Sequence, residues 1–372
     1  MPAAIVSVIN DLTTDQRVDR TCRTLVKAGY DVLLVGRHLK NSRSLAPRQY
    51  RTHRMRLLCE KGPLFYAEYN LALFLFLLSH PFDMLVSNDT DTLPANFLAS
   101  RIKRRPLVHD CHEYFRGMPE LNGRPFITRC WKWIEDRLFP RLRRVVAVNG
   151  SVAELYRSEY GNAITVIRNV PARKEVQEPA GREEMGIAGT DPIILYQGAV
   201  NVDRGLEEAI MALKHLRTPA VMVIAGTGDR YESLQQFVSE QGLEGKVRFL
   251  GQVPFQDLHR ITLTADLGLS IEKDVSLNYH YCLPNKFLDY IQARVPVLVS
   301  PLPEMQSIVE QYRIGEFIDS HEPEKLAARI DDMLSHPERL AAYRDNLETA
   351  AAELCWEKEE PKLLALLEGR GS

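Results

Sequence analysis

Two runs of alternating strand and helix patterns, separated by one stretch rich in proline, glycine and charge, constrain this chain more than any other feature. In the first run, the spacing predicts strands over 3–9, 31–36, 83–87, 107–110, 145–148 and 164–167. Helical patterns lie between them. The clearest covers 15–28, with Val18, Cys22, Leu25 and Val26 on one stripe, and stops at Gly29. The alternation breaks over 171–192 (PARKEVQEPAGREEMGIAGTDP). It then restarts, with strands expected over 193–197, 221–225, 247–250, 267–271 and 297–299. Strands that alternate with helices build parallel βαβ units. The expected organisation is an N-terminal Rossmann-like domain over 1–171, a linker over 172–192 and a second Rossmann-like domain over 193–352. A C-terminal helix over 353–372 has the option of packing back on the first domain.

Composition removes several function classes. The chain has 372 residues, enough for two substantial cores, and a formal net charge of −2, which gives no support to wholesale nucleic-acid binding. Its six cysteines are scattered with no CxxC pair, which argues against a zinc site or a disulfide framework and suits a reducing compartment. The opening residues lack the basic segment and unbroken apolar run of a secretory signal. The most membrane-like segment, 69–78 (YNLALFLFLL), is shorter than the about 20 apolar residues that span a bilayer. It reads either as a buried helix or as a surface helix touching membrane. Arg101, Lys103, Arg104 and Arg105 form one basic cluster, and Arg141, Arg143 and Arg144 another. They are solvated faces, or they hold the first domain against anionic lipid.

The chemistry concentrates in the second half. Tyr281 to Tyr290 (YCLPNKFLDY) lies between two strands, and Pro284 marks the expected first helical position. Asn285 and Lys286 then fall in the first turn, and Asp289 one turn on. Free N–H groups and a positive partial charge at a helix start suit a phosphate. Lys286 adds a full charge, and Asp289 offers acceptor oxygens to a sugar diol. Gly198, just after the strand 193–197, lets backbone approach a ligand closely, and Arg204 is placed to grip a diphosphate. Gly226 and Gly228 also follow a strand. Tyr231 stands where a dinucleotide fingerprint needs glycine, so this segment reads as a tight turn lining the site.

In the first half, His109, Asp110, His112 and Glu113 sit at the carboxyl end of a strand, where open α/β sheets gather ligands. A histidine and carboxylates there suit acid–base work or the positioning of a sugar hydroxyl. Asp15 and Arg17, in the first strand–helix turn, are candidate acceptor contacts, with capping the alternative for Asp15. Asp89-Thr90-Asp91 reads as a helix cap, not a metal site.

Taken together, these segments resemble the family 4, retaining-type glycosyltransferases with two Rossmann-like doubly wound parallel-sheet domains facing a central cleft, the GT-B fold. The likeness spans nearly the whole chain. It rests on Asp15 to Val18, Ala28 to Val32, His109 to Glu113 and Val166 to Pro171 in the first half. In the second half it rests on Tyr196 to Gly198, Arg204 to Glu207, Val247 to Gly251, and Leu283 to Lys286 continuing to Val297. Tyr281 stands where the family carries the first glutamate of a Glu-x7-Glu motif, and Cys282-Leu283-Pro284 replaces its Gly-Phe-Gly.

The resemblance implies transfer of a sugar, with retention, from a nucleoside-diphosphate sugar to a glycan or lipid-linked acceptor. It implies no metal or other cofactor. Catalytic roles fall to His112, Arg204 and Lys286. Donor contacts fall to Gly198, Arg204, Asn285, Lys286, Asp289, Tyr281 and, at the interdomain crossing, Asn169. Acceptor contacts fall to Asp15, Arg17, Asp110 and Glu113. The expected location is cytoplasmic, with peripheral contact at the inner, anionic face of the membrane. Two other readings stay open: a nucleotide-sugar epimerase on the same fold, and a non-catalytic glycosyltransferase-like partner subunit.

Overall fold

The structure is a computed structural model that describes residues 1–13, 15–118, 121, 123–174 and 177–369. It divides into two compact units, one formed by Met1–Asn169 with Glu359–Ser372, the other by Val170–Lys358.

The first unit holds a parallel sheet of β1 (Ala3–Ser7), β2 (Asp31–His38), β3 (Arg51–Arg56), β4 (Met84–Asn88), β5 (Leu107–Cys111), β6 (Arg144–Ala147) and β7 (Ile164–Val166). The order is β3-β2-β1-β4-β5-β6-β7, so the winding reverses between β1 and β4. Strand β3 was not expected. Its sequence, RTHRMR, has one buried position, because it is the edge strand and its basic side chains face solvent. The helix Gly62–Ser79 is longer than the apolar segment suggested. By length and composition it is the one helix among the described residues that could cross a membrane. Phe65, Tyr69, Leu73 and Leu77 form a buried stripe at i, i+4 spacing, and the Tyr69 hydroxyl donates to Val8 O at 2.8 Å. Leu64, Leu71 and Leu75 on its other side are exposed. The buried stripe agrees with the reading of this segment as a buried helix on that side.

The second unit holds β8 (Ile193–Gln197), β9 (Val221–Ala225), β10 (Val247–Gly251), β11 (Leu267–Ser270), β12 (Val297–Val299) and β13 (Gly315–Phe317), in the order β10-β9-β8-β11-β12-β13. All pairs are parallel, and the winding reverses between β8 and β11. Ile193, Leu195, Val221 and Val223 pack into one apolar layer with Phe287 and Ile291. Ile194, Tyr196, Met222 and Ile224 pack into the layer on the opposite face. Burial on both faces explains why these strands read as continuous apolar runs. Met185 and Ile187, in the sequence expected to be linker, are buried in the core of this unit.

The helix Trp356–Leu367 straddles the boundary between the units. Within the first unit, Glu360 accepts from Thr24 Oγ1 at 2.7 Å, and Arg144 donates to Leu367 O at 3.1 Å.

Candidate active site

In the second unit, the reversal between β8 and β11 opens a crevice at their carboxyl ends. The loop after β8 starts at Gly198, with φ of +114°, and lies against the loop after β9. Gly198 N donates to Ala225 O at 2.9 Å, and Val200 N to Thr227 O at 3.0 Å. A Cβ at Gly226 would stand 1.8 Å from Gly198 O, so these glycines exist for backbone contact between the two loops. The same loop ends at Gly205, with φ of +73°, where a Cβ would meet Ile271 O at 2.6 Å. That contact pins Arg204 beside the end of β11.

The residue that follows Ile271 is Glu272, and it organises the site. It is fully buried and pairs with both Lys286 and Arg204, the latter at 3.5 Å. Its second oxygen accepts from Ser270 Oγ at 2.9 Å. Lys286 is buried too, and its ammonium lies 4.6 Å from the centre of the Tyr196 ring. Arg204 lies 4.9 Å from the Tyr279 ring, and its Nε has no hydrogen-bond partner among the described residues. Burial would raise the Glu272 pKa, but the two cations outweigh it and lower it. Burial would lower the Lys286 pKa, but Glu272 outweighs that and raises it. All three groups are therefore ionised, with one positive charge in excess.

The helix Asn285–Gln292 brings Lys286 here. Pro284 is its N-cap, one position earlier than expected, because its ψ of 141° is still extended. Asn285 is thus the first helical residue and is exposed. Tyr290 fixes the helix under the crevice: its hydroxyl accepts from Gln197 N at 3.2 Å and lies 3.0 Å from Leu195 O. Asp289, one turn from Lys286, accepts from Gln197 Nε2 at 3.1 Å and lies 3.7 Å from Lys174 Nζ. Gln197 itself accepts from Thr262 Oγ1 at 2.8 Å, which fixes its amide. Tyr281 ends the short helix Leu277–His280, its ring packed edge-on against His280.

In the first unit, the carboxyl ends of β1, β4 and β5 gather a different set. His112 stands between two carboxylates, Nδ1 at 3.4 Å from Asp89 and Nε2 at 3.4 Å from Asp110. Nε2 is also 3.1 Å from Asn88 Oδ1. Burial would lower the His112 pKa, but Asp89 and Asp110 raise it to about 9, so the ring is an imidazolium at neutral pH. Asp110 takes a fork from Arg17, whose Nη1 donates to Ile167 O at 2.9 Å. Glu113, the next residue along from His112, is half-exposed.

Two expectations are corrected here, at Arg17 and Asp89, and for Asp15 the capping alternative is the one observed. Arg17 is 4% exposed and its guanidinium is committed to Asp110 and Ile167, so it does not reach an acceptor. Asp15 accepts from Val18 N at 3.0 Å and from Asn10 Nδ2 at 2.8 Å, so its carboxylate caps the helix Gln16–Lys27. Asp89 does not cap its own helix: with φ of +57° its carboxylate turns to His112, accepting the backbone N–H at 2.8 Å. Asn169 accepts from Arg20 within the first unit. The sequence reading missed Glu272, although a place at the carboxyl end of an apolar strand was the signal that marked His109 to Glu113.

Comparison with known proteins gives the family and the fold. Residues 15–170 match the family model described as Glycosyltransferase Family 4, and residues 177–351 match Glycosyl transferases group 1. The glycosyltransferase MJ1607 of Methanocaldococcus jannaschii is 27% identical over 158 residues, which span 41% of this chain and 38% of that protein. Sucrose-phosphate synthase from Thermosynechococcus elongatus superposes with a TM-score of 0.82 at 15% identity, covering 99% of both chains. Anabaena HepE, solved in complex with UDP-glucose, gives 0.76 at 16% identity, covering 99% of this chain and 100% of that one. WaaG, a glycosyltransferase involved in lipopolysaccharide biosynthesis, gives 0.72 at 16% identity, with 96% and 99% covered. With both halves matched in order and the GT-B fold shared, the chain belongs to glycosyltransferase family 4.

Proposed function

We propose that this protein transfers a sugar from a nucleoside-diphosphate sugar to an acceptor hydroxyl on a glycan or lipid-linked saccharide, with retention of anomeric configuration. The observation that carries the reading is the Lys286–Glu272–Arg204 cluster at the β8/β11 switch point. Two cations held around one carboxylate leave a positive excess where phosphates bind in such folds. Anabaena HepE, which shares the fold, was solved with UDP-glucose, and that supports a nucleotide-sugar donor here.

In this reading, the bond between the anomeric carbon and the diphosphate oxygen breaks as the bond to the acceptor oxygen forms on the same face. The acceptor proton passes to the leaving phosphate. Negative charge grows on the diphosphate, and Arg204 and Lys286 stabilise it in place, a preorganised electrostatic role. Glu272 keeps both cations charged and directed before the donor arrives. Asp289, oriented by Gln197, takes the ribose hydroxyls, and Gly198 and Asn285 give the phosphates close backbone approach. His112, as an imidazolium, holds a hydroxyl of the transferred sugar. No metal or other cofactor enters this proposal. We place the reaction in the cytoplasm, with peripheral contact at the anionic inner face of the membrane.

Incubation with labelled nucleotide sugars and saccharide acceptors tests the reading. Acceptor-dependent release of nucleoside diphosphate is the expected result. Interconversion of the nucleotide sugar without acceptor would instead make the protein an epimerase. Failure of any nucleoside diphosphate to raise the melting temperature would favour a non-catalytic subunit.

A further inference from the structure

The opposite end of the first sheet carries a second charged feature. Arg101, Arg104, Arg105, Arg141, Arg143 and Arg144 line one groove at the amino ends of β5 and β6. The fold brings them together. The helix Asp89–Lys103 ends at Arg104 in the left-handed region, with φ of +54°, and the chain turns through Arg105 into β5. The turn Phe139–Arg141 feeds Arg143 and Arg144 into β6. Because β5 and β6 pair side by side, the two basic connections become neighbours.

Little within the protein neutralises them. Arg105 lies 3.4 Å from Asp83, Arg144 serves a backbone carbonyl, and Arg101 stacks on Phe97. Among the described residues, Arg101, Arg104, Arg141 and Arg143 have no carboxylate within ion-pair distance. Guanidinium groups crowded in this way call for an external anion, and their planar forks suit phosphate.

The groove does not end in water-facing polar surface. Phe97 and Arg141 also line a second, apolar groove with Leu98, Trp133, Ile134 and Leu138. Leu98 is 50% exposed, Ile102, one turn on, 60%, and Trp133 59%. A cationic groove that merges with exposed apolar side chains matches a molecule with a phosphate at one end and hydrocarbon at the other.

We propose that this face docks on an anionic phospholipid bilayer, with headgroup phosphates in the arginine groove and the acyl region against Leu98, Ile102 and Trp133. This deepens the membrane contact proposed above and assigns it to the helices Asp89–Lys103 and Pro125–Leu138, not to the helix Gly62–Ser79. It does not depend on the donor chemistry.

The test uses the full chain and vesicles of phosphatidylcholine with or without phosphatidylglycerol. Trp131 and Trp356 are 7% and 6% exposed, so a change in tryptophan fluorescence reports on Trp133. The expected results are flotation with the anionic vesicles, weakened by salt, and quenching by brominated acyl chains that is lost in Trp133→Phe. Arg101→Glu/Arg143→Glu should lower vesicle affinity at least tenfold while the melting temperature and nucleoside-diphosphate binding stay as in wild type. Three results would overturn the proposal: no flotation with anionic vesicles, equal flotation by the charge-reversed variant, or flotation without quenching of Trp133. So would displacement of the vesicles by micromolar inorganic pyrophosphate, which would make the groove a site for a soluble phosphate.

Discussion

At the switch point of the second sheet, Arg204 and Lys286 surround one buried carboxylate, Glu272, and positive charge is in excess. At the switch point of the first sheet, His112 and Arg17 stand among Asp15, Asp89 and Asp110, and no positive excess remains. Both lie at the carboxyl ends of parallel strands where the winding reverses, so topology alone does not distinguish them. Charge does. The second unit's cluster carries a positive excess that suits an anion, whereas the first unit's cluster carries none, and both ring nitrogens of its imidazolium face acceptors of the protein itself. The same fold, used twice, thus gives two clusters of opposite charge balance, and the proposed phosphate site is the one with the positive excess.

The sharpest way to break this comparison is to remove its central cation. Lys286→Ala leaves the buried Glu272 with Arg204, at 3.5 Å, as its one remaining cation, and should cost about 3–5 kcal/mol of folding stability by denaturant titration. Lys286→Ala/Glu272→Ala should recover most of that stability without recovering nucleotide binding. Recovery of both would make the pair purely structural. Arg204 is partly exposed, so Arg204→Ala should act on turnover more than on folding. A loss of roughly 2–4 kcal/mol in kcat/KM is expected, as for a charged contact to a ligand.

In the first unit, the expected effect is on pH. His112 has its pKa raised to about 9 in the folded protein, against about 6.5 unfolded. Between those values the folded state holds a proton that the unfolded state has released. The contribution is full below about pH 6.5 and is lost as pH rises through about 9, on the order of 3 kcal/mol. His112→Gln should flatten this alkaline slope. A slope unchanged by the substitution would remove His112 from between its carboxylates. The smallest effect is expected at Asp289, where Asp289→Asn should weaken nucleoside binding by about 1 kcal/mol, one hydrogen bond's worth, and leave folding nearly unchanged.

The division into two α/β units was legible because parallel strands buried on both faces leave unmistakable apolar runs. The strands that escaped notice are the edges. Strand β3 is basic and mostly exposed, and β13 is three residues long. Neither carries the apolar signal on which sequence reading depends. Within the site, Lys286, Arg204 and Asp289 were legible because each follows a strand or opens a helix. Glu272 follows a strand too, but its pairing with both cations depends on β8 and β11 being neighbours, a pairing between residues far apart in the chain, and was missed. Arg17 was misread for the same reason. Its partner Asp110 lies 93 residues away, and only the sheet brings them together.

The central claim is that the Lys286–Glu272–Arg204 cluster holds the diphosphate of the donor. Calorimetric titration of a nucleoside, its monophosphate and its diphosphate, in wild type and in Arg204→Ala/Lys286→Ala, tests it most directly. The account predicts affinity that rises with each phosphate in wild type and an advantage for the diphosphate that disappears in the variant. A diphosphate bound no more tightly than the nucleoside by wild type, or equally well by both proteins, would contradict it.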